Sequence, residues 1–526
     1  MKSYLSCFHT YYKKQTLWIL LISLCATIYF LRVFGLSLLN PQNIDWLMSG
    51  DPAQHYLGWK FFRHEPWTLP LGKITLYGAP LGSSVVYTDS IPLVAIFLKL
   101  FEGFLSADFQ YSGVWILSCM ILQGITAFFI FKKLNHTHIF SFVGSLFLIV
   151  SPIMLDRGHG HYTLMAHWLI LVAFLLFIQR SFPWKGWISL IILSFLIHSY
   201  LAFMVLSLFL GHFVFLAPKT LKSFLKLSSL FVILPIILYL SGYFGVSSFS
   251  SGGYGDYSFN LNGLFNSQGK SEFLKSLPYL IPQYEGFGYL GLGIIILFFL
   301  CFFIPKSFKY PEIILGFCCL LLGIFSLSNQ VTFNEYKFHF APFEIFNWTR
   351  VGPIFRSSGR MIWPLFYFIN IYSLHFCMKH FNGLKSLGVM SFLFFIHYKD
   401  LRGVRVPLYQ KYHSDSIYQK KYDLLKWEKL LKDKEAITVF PSVNFEDAWL
   451  HLGFVAAYLH KKINIAYRAR DNLDKTEEKA LLHEVQNHQF QKNHLYVFLN
   501  NAEKLYPINI MNLPLHYIDG YRIYIP

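Results

Sequence analysis

The sequence predicts a polytopic α-helical membrane protein that ends in a small extracytoplasmic α/β domain. Three observations predict it. The 526 residues are 54% hydrophobic and only 14% charged, against about 25% charged in soluble domains, and the mean hydropathy is +0.42. Apolar runs recur along the chain, several near the roughly 17–25 residues that a bilayer demands. Lys and Arg then gather in alternate short loops, the positive-inside pattern. A net charge of +17 would suggest nucleic acid in a soluble protein. Here much of it lies in loops on one side of the apolar runs, which excludes that partner.

The N-terminal tail carries Lys2, Lys13 and Lys14 and no acid, so it is expected in the cytoplasm. The first run, 17–38, is followed by many others and so reads as an anchor rather than a cleaved leader. Further spans are expected near 111–131, 139–155, 162–179, 187–198, 201–216, 227–243, 287–304, 313–327, 361–378 and 387–398, about eleven in all. The run 91–105 is short and holds Lys99 and Glu102. If it crossed, Lys132 and Lys133 would fall outside, so it is taken as interfacial or re-entrant. The membrane domain is then 1–398, with outer loops 39–110, 156–161, 245–286 and 328–360. Residues 399–526 form the second domain, with about nineteen basic and fifteen acidic residues and the mixed surface of a soluble fold. Strands are expected at Ala436–Phe440, Ile463–Tyr467, Leu495–Leu499 and Tyr521–Ile525, and helices at Glu446–His460 and Lys475–Val485. The seven cysteines lie in apolar runs or the tail, so neither a structural disulfide nor a Cys-based metal site is expected.

This topology gathers three polar groups on the outer face. Asp51 sits in Gly50-Asp-Pro, where Asp can act as a helix N-cap and Pro52 suits the first helical position. Behind it, Trp59, Phe61 and Phe62 beside Lys60 and Arg63 suit a water–lipid interface. Asp156, Arg157, His159 and His161 fill the second outer loop. Arg350, Arg356 and Arg360 share a later one. A carboxylate can take a proton from an acceptor hydroxyl, histidines can assist, and arginines grip phosphate bidentately. Each group also has a plainer role: a capping Asp, a loop ion pair, interfacial anchors. The outer aromatics Trp46, Tyr56, Trp59, Trp67, Tyr77 and Tyr87 could stack on sugars but read first as an interfacial belt. His159 and His161, spaced i, i+2, do not share a helical face, so zinc is disfavoured. His167 and His198 are expected as buried helix–helix hydrogen-bonders.

An apolar first span, an outer first loop with the early acid Asp51, and Asp156 in the second outer loop resemble the GT-C class of integral-membrane glycosyltransferases. The likeness covers about residues 10–400. Within that class the chain looks most like an uncharacterised bacterial family of multi-span inner-membrane proteins. The carrying stretches are Gly50-Asp-Pro-Ala-Gln-His-Tyr-Leu-Gly-Trp59, Val86-Tyr-Thr-Asp-Ser-Ile-Pro92 and Phe355-Arg-Ser-Ser-Gly-Arg360. The resemblance implies a GT-C-like fold, a polyprenyl-phosphate or pyrophosphate sugar donor, and a first-loop acid that acts as base or metal ligand. Asp51 matches that acid better than Asp45, which lacks the turn, and Asp156 matches the second-loop acid. Class members often pair two acids in the first loop, whereas Pro52 follows Asp51 here, which weakens a metal role. No cofactor is indicated, with a divalent cation the one candidate.

The expectation is a glycosyltransferase of the bacterial inner membrane, its C-terminal domain periplasmic, acting on a cell-envelope glycan or lipid. Asp51 is the base, supported by Asp156, His159 and His161, and Arg350, Arg356 and Arg360 hold the lipid phosphate. A lipid-linked sugar flippase would need more polar residues inside the spans. A non-catalytic envelope assembly protein would tolerate loss of Asp51.

Overall fold

The computed structural model describes residues 2–244, 254–339, 354–381, 383–414, 422–443, 447–467, 475–510 and 512–526. Two compact units divide the chain. Unit 1 comprises Met1–Asn40, Tyr111–Leu230 and Ser250–Ser414, and unit 2 comprises Pro41–Gln110, Phe231–Phe249 and Asp415–Pro526.

Among the described residues, six helices are long and apolar enough to cross a membrane: Gln15–Phe34, Ser112–Lys133, His138–His159, Ser199–Leu216, Leu221–Ser241 and Ser358–His380. At about 1.5 Å per residue, 18 residues give about 27 Å, close to a hydrocarbon core. Tyr162–Phe177, Trp184–Phe195, Leu292–Phe303 and Tyr310–Ser326 are apolar but shorter. Fewer than the eleven expected spans therefore meet the length requirement.

Unit 1 is a helical bundle. α4 (Ser112–Lys133) packs on α1 (Lys2–Phe34), α5 (His138–Ile149) and α7 (Trp168–Phe177). α9 (Ser199–Leu216) packs on α8 (Trp184–Phe195) and α12 (Tyr310–Ser326). The chain breaks between α8 and α9 where expected, and the His198 Nδ1 accepts from Tyr200 N at 3.1 Å. His198 thus caps its own helix. α6 (Pro152–Asp156) carries the second-loop acid, α10 spans Leu221–Ser241, and α11 is Leu292–Leu300. A hairpin, β3 (Gln330–Phe333) with β4 (Tyr336–His339), follows α12.

Unit 2 holds a five-stranded sheet in the order β6-β5-β7-β9-β8. β5 (Ala436–Phe440) runs parallel to β6 (Lys462–Ile463) and β7 (His494–Phe498), and β9 (Tyr521–Tyr524) is antiparallel to β7 and β8 (His516–Ile518). Phe440, Val485, Tyr496, Phe498 and Ile510 form its core. The first loop joins this sheet at the β6 edge. Ile463 N donates to Leu76 O, and Gly78 N and Ala79 N donate to Ile463 O, all at 2.9 Å. A covered edge protects a sheet from adventitious pairing. A short hairpin, β1 (Lys73–Ile74) with β2 (Ser83–Ser84), flanks the joint.

Two expectations for the first loop are corrected. α2 (Gly50–His64) is not an interfacial helix. Pro52 through Arg63 are all buried, and the helix packs on Ala448–Tyr458. Lys60 and Arg63 reach carbonyls of the following loop, Lys60 Nζ to Ala107 O at 2.5 Å and Arg63 Nη1 to Ser106 O at 2.7 Å, so both charged ends find protein acceptors. Tyr56, Trp59, Tyr77 and Tyr87 are core side chains of unit 2, so they form neither a lipid belt nor an open sugar platform. The run 91–105 becomes α3 (Pro92–Lys99) and a single turn, Glu102–Phe104. Eight residues reach about 12 Å, too little to cross.

Candidate functional site

In unit 1, α5 ends at Ile149 and Pro152 restarts the chain as the short helix α6, with Asp156 at its end and Arg157 next. Ser151, just before that restart, bonds the Tyr367 hydroxyl at 3.2 Å. The same hydroxyl meets Gln123 Nε2 at 3.0 Å and His167 Nδ1 at 2.8 Å. His167 does bond across helices, as expected. This buried hub ties the Asp156 turn to the helix that follows Arg360.

Arg157 lies between two carboxylates. Its Nη2 reaches Asp156 Oδ2 at 2.5 Å and its Nη1 reaches Glu285 Oε2 at 2.7 Å. Arg360 grips the same Glu285 through Nε to Oε2 at 3.0 Å and Nη2 to Oε1 at 2.9 Å. Lys270 Nζ closes on the other oxygen of Asp156. Buried charges survive only when paired and hydrogen-bonded, and here three fixed cations surround two carboxylates. Among the described residues this leaves one positive charge over. The buried Arg157 Nε has no hydrogen-bond partner among the described residues. His161 Nε2 stands 3.8 Å from Glu285 Oε1. Burial alone would raise the Glu285 carboxyl, but Arg360 and Arg157 outweigh it and hold the group well below the ordinary carboxylate range.

The expected residues fare unequally. Asp156, His161 and Arg360 share this cluster. His159 is next to it in the chain, and its carbonyl accepts from Lys411 Nζ. Arg356 sits over the Tyr257 ring at 5.6 Å. Arg350 lies outside the described residues. Glu285, Lys270 and Lys411 were not expected. The signal for Glu285 was an acid at the end of a Gly/Ser/Asn-rich loop, immediately before an apolar run. Among the described residues no group of three or more His, Cys, Asp and Glu side chains could hold a metal. A divalent cation at Asp156 would also compete with Lys270 and Arg157, so the cluster does not fit one.

An apolar groove of about 460 Å³ runs between α9 and α12, lined by Phe203, Leu210, Gly211, Phe215, Cys318 and Phe325 among others. Phe355 packs on its wall, 4.3 Å from Phe203 between ring centroids. Phe355 in turn meets Tyr200 at 5.5 Å, and the Arg360 guanidinium lies 4.8 Å from the Tyr200 ring. Two rings thus separate the groove from the cationic cluster.

In unit 2, Ser49 takes the N-cap position of α2 and Asp51 lies within the first turn. Asp51 is therefore not the cap, nor is Pro52 the first helical residue. A carboxylate there is still favoured by the helix dipole. Tyr467 Oη donates to Asp51 Oδ1 at 3.3 Å, and the Tyr467 ring stacks on Trp449 at 4.8 Å and 22°.

Fold and charge cluster together describe a mostly helical chain with six candidate membrane-spanning helices among the described residues, a buried polar site and a small C-terminal sheet. The chain belongs to the family described as Domain of unknown function (DUF6311), whose model matches residues 23–402. Residues 426–526 match the DUF6311 C-terminal domain. No curated protein matches the chain.

Proposed function

We propose that the protein is a GT-C-type glycosyltransferase. It moves a sugar from a polyprenyl-phosphate donor to a cell-envelope glycan or lipid on the outer face of the bacterial inner membrane. The observation that carries the reading is the cationic cluster of Arg157, Arg360 and Lys270, with an apolar groove two rings away from Arg360. A chain in the groove and an anionic head at the excess cation describe a phosphate-bearing lipid. Asp51 takes the proton from the acceptor hydroxyl, whose oxygen bonds to the anomeric carbon as the carbon–oxygen bond to phosphate breaks. The lipid phosphate leaves with that electron pair, and Arg360, Arg157 and Lys270 stabilise it. Asp156 and Glu285, held by cations, are poor bases and serve to place those cations. In this reading about eleven crossings put the N terminus in the cytoplasm and residues 399–526 outside, and no divalent cation is required.

A lipid-linked sugar transporter is the second reading. The Gln123–Tyr367–His167–Ser151 hub favours it, since polar groups inside spans mark translocation paths. The test compares envelope glycans in wild type, a deletion strain, and the deletion carrying Asp51→Asn at matched expression. The transferase reading expects the deletion to change the glycan and Asp51→Asn to fail to restore it. Restoration by Asp51→Asn removes the base and leaves the transporter or an assembly role.

A further inference from the structure

A second cavity of unit 1, about 400 Å³, opens between Gly255–Asp256, the Tyr279–Pro282 segment and the β3–β4 hairpin. Its size falls in the roughly 300–1,000 Å³ range of small-molecule sites. Its walls are fixed by a buried amide network. Asn260 Nδ2 donates to Gln283 Oε1 at 2.9 Å and to Asn334 O at 2.8 Å. Gln283 Nε2 donates to Ser258 Oγ at 3.0 Å and Thr332 Oγ1 at 2.5 Å. Such a satisfied network holds three separate segments in one arrangement before any ligand arrives. Gly255, at φ +107°, makes the turn into the wall, and a Cβ there would lie 3.0 Å from Asn329 Oδ1.

The lining states its own chemistry. Asp256 and Glu335 supply two carboxylates, Lys337 one ammonium, Gln330 a carboxamide and Tyr279 a phenol. The net charge is negative, which turns away phosphates and uronates. Carboxylates and an amide accept and donate to hydroxyls in several directions, while Leu280, Ile281 and Pro282 offer an apolar face to ring C–H groups. The cavity also adjoins the charged cluster. Ile281 and Pro282 open the same short helix that carries Glu285. Asp256 precedes Tyr257, whose carbonyl accepts from Gly359 N at 2.9 Å, next to Arg360.

We propose that this cavity is a saccharide subsite for a neutral or amino-sugar ring, and, resting on the transferase reading, that it seats the acceptor glycan. The full chain in lipid nanodiscs is examined by saturation-transfer NMR with three probes: an N-acetylglucosamine oligomer, a glucosamine oligomer and a uronate oligomer. Saturation should reach one or both of the first two and not the third. The double substitution Asp256→Asn, Glu335→Gln should weaken binding by at least about tenfold, the loss expected for two charge-assisted hydrogen bonds. Both side chains are exposed, so the melting temperature should not move. Gly255→Ala should weaken binding as well. Silence from both neutral and amino probes, equal binding by the double variant, or preference for the uronate overturns the proposal. Probe binding is read without donor or turnover, whereas the transferase reading is read from the envelope glycan of the deletion strain, so the failure of either is seen separately.

Discussion

Arg360 holds Glu285 through two parallel hydrogen bonds, 3.0 and 2.9 Å, across 75 residues of chain. Fork-to-carboxylate contacts of this kind are among the strongest that side chains make. Glu285→Ala leaves Arg360 buried without its counter-charge and Arg157 with Asp156 alone, and should cost about 3–5 kcal/mol. Thermal unfolding in detergent would read this as a large fall in melting temperature. Adding Arg360→Met to Glu285→Ala should recover part of the loss, and a double variant no better than the single one would contradict the pairing.

The same carboxylate sets an acid limit. Its native pKa lies below the unfolded value of about 4.3. A depressed carboxyl contributes stability that is fully present above the unfolded pKa and lost as pH falls through the native one. Unit 1 should therefore weaken progressively below about pH 4, and Glu285→Gln should flatten that slope in a pH series of denaturation midpoints.

In unit 2, Glu65 does structural work of a similar kind. Its Oε1 accepts from Thr75 N at 2.6 Å and Leu76 N at 2.8 Å, and Oε2 accepts from Thr75 Oγ1 at 2.7 Å. Leu76 is the residue whose carbonyl meets Ile463. Glu65→Ala should cost about 1–3 kcal/mol by removing the shared acceptor of two backbone amides and a hydroxyl. Protease nicking within 66–80 would be the readout, and an unchanged cleavage rate would sink the assignment.

The groove offers a steric test. A Cβ on Gly211 would stand 2.2 Å from Cys318 Sγ, so Gly211→Leu must fill the space between α9 and α12. It should lower retention of a polyprenyl phosphate by purified protein at least about tenfold, since several buried CH₂ groups are lost at about 0.8 kcal/mol each. Cys318→Ala alone should leave retention near wild type.

What the sequence made legible follows from range. Apolar runs announce helices because each run carries its own signal, and the break at His198 and the strand Ala436–Phe440 were readable for the same reason. Asp156 and Arg157 stood out as charges interrupting an apolar stretch. Their partner Glu285 is 128 residues from Arg157, and no local pattern links them. The burial of α2 was misread on similar grounds. Trp59, Phe61 and Lys60 suit a lipid interface and a protein core equally well, and the contact that decides between them comes from a segment of the C-terminal sheet domain. Tyr77 and Tyr467, which bond at 3.1 Å, are 390 positions apart. β8, at His516–Ile518, is short and largely exposed and gives no period to detect.

The joint between Leu76–Ala79 and Ile463 also constrains sidedness by parity. Two segments that share backbone hydrogen bonds lie on one side of any bilayer the chain threads. Between them the chain must cross an even number of times. Five of the six long apolar helices fall in that interval, from Ser112–Lys133 to Ser358–His380, and five is odd. A bilayer crossed by all five is therefore crossed by an odd number of the shorter helices as well.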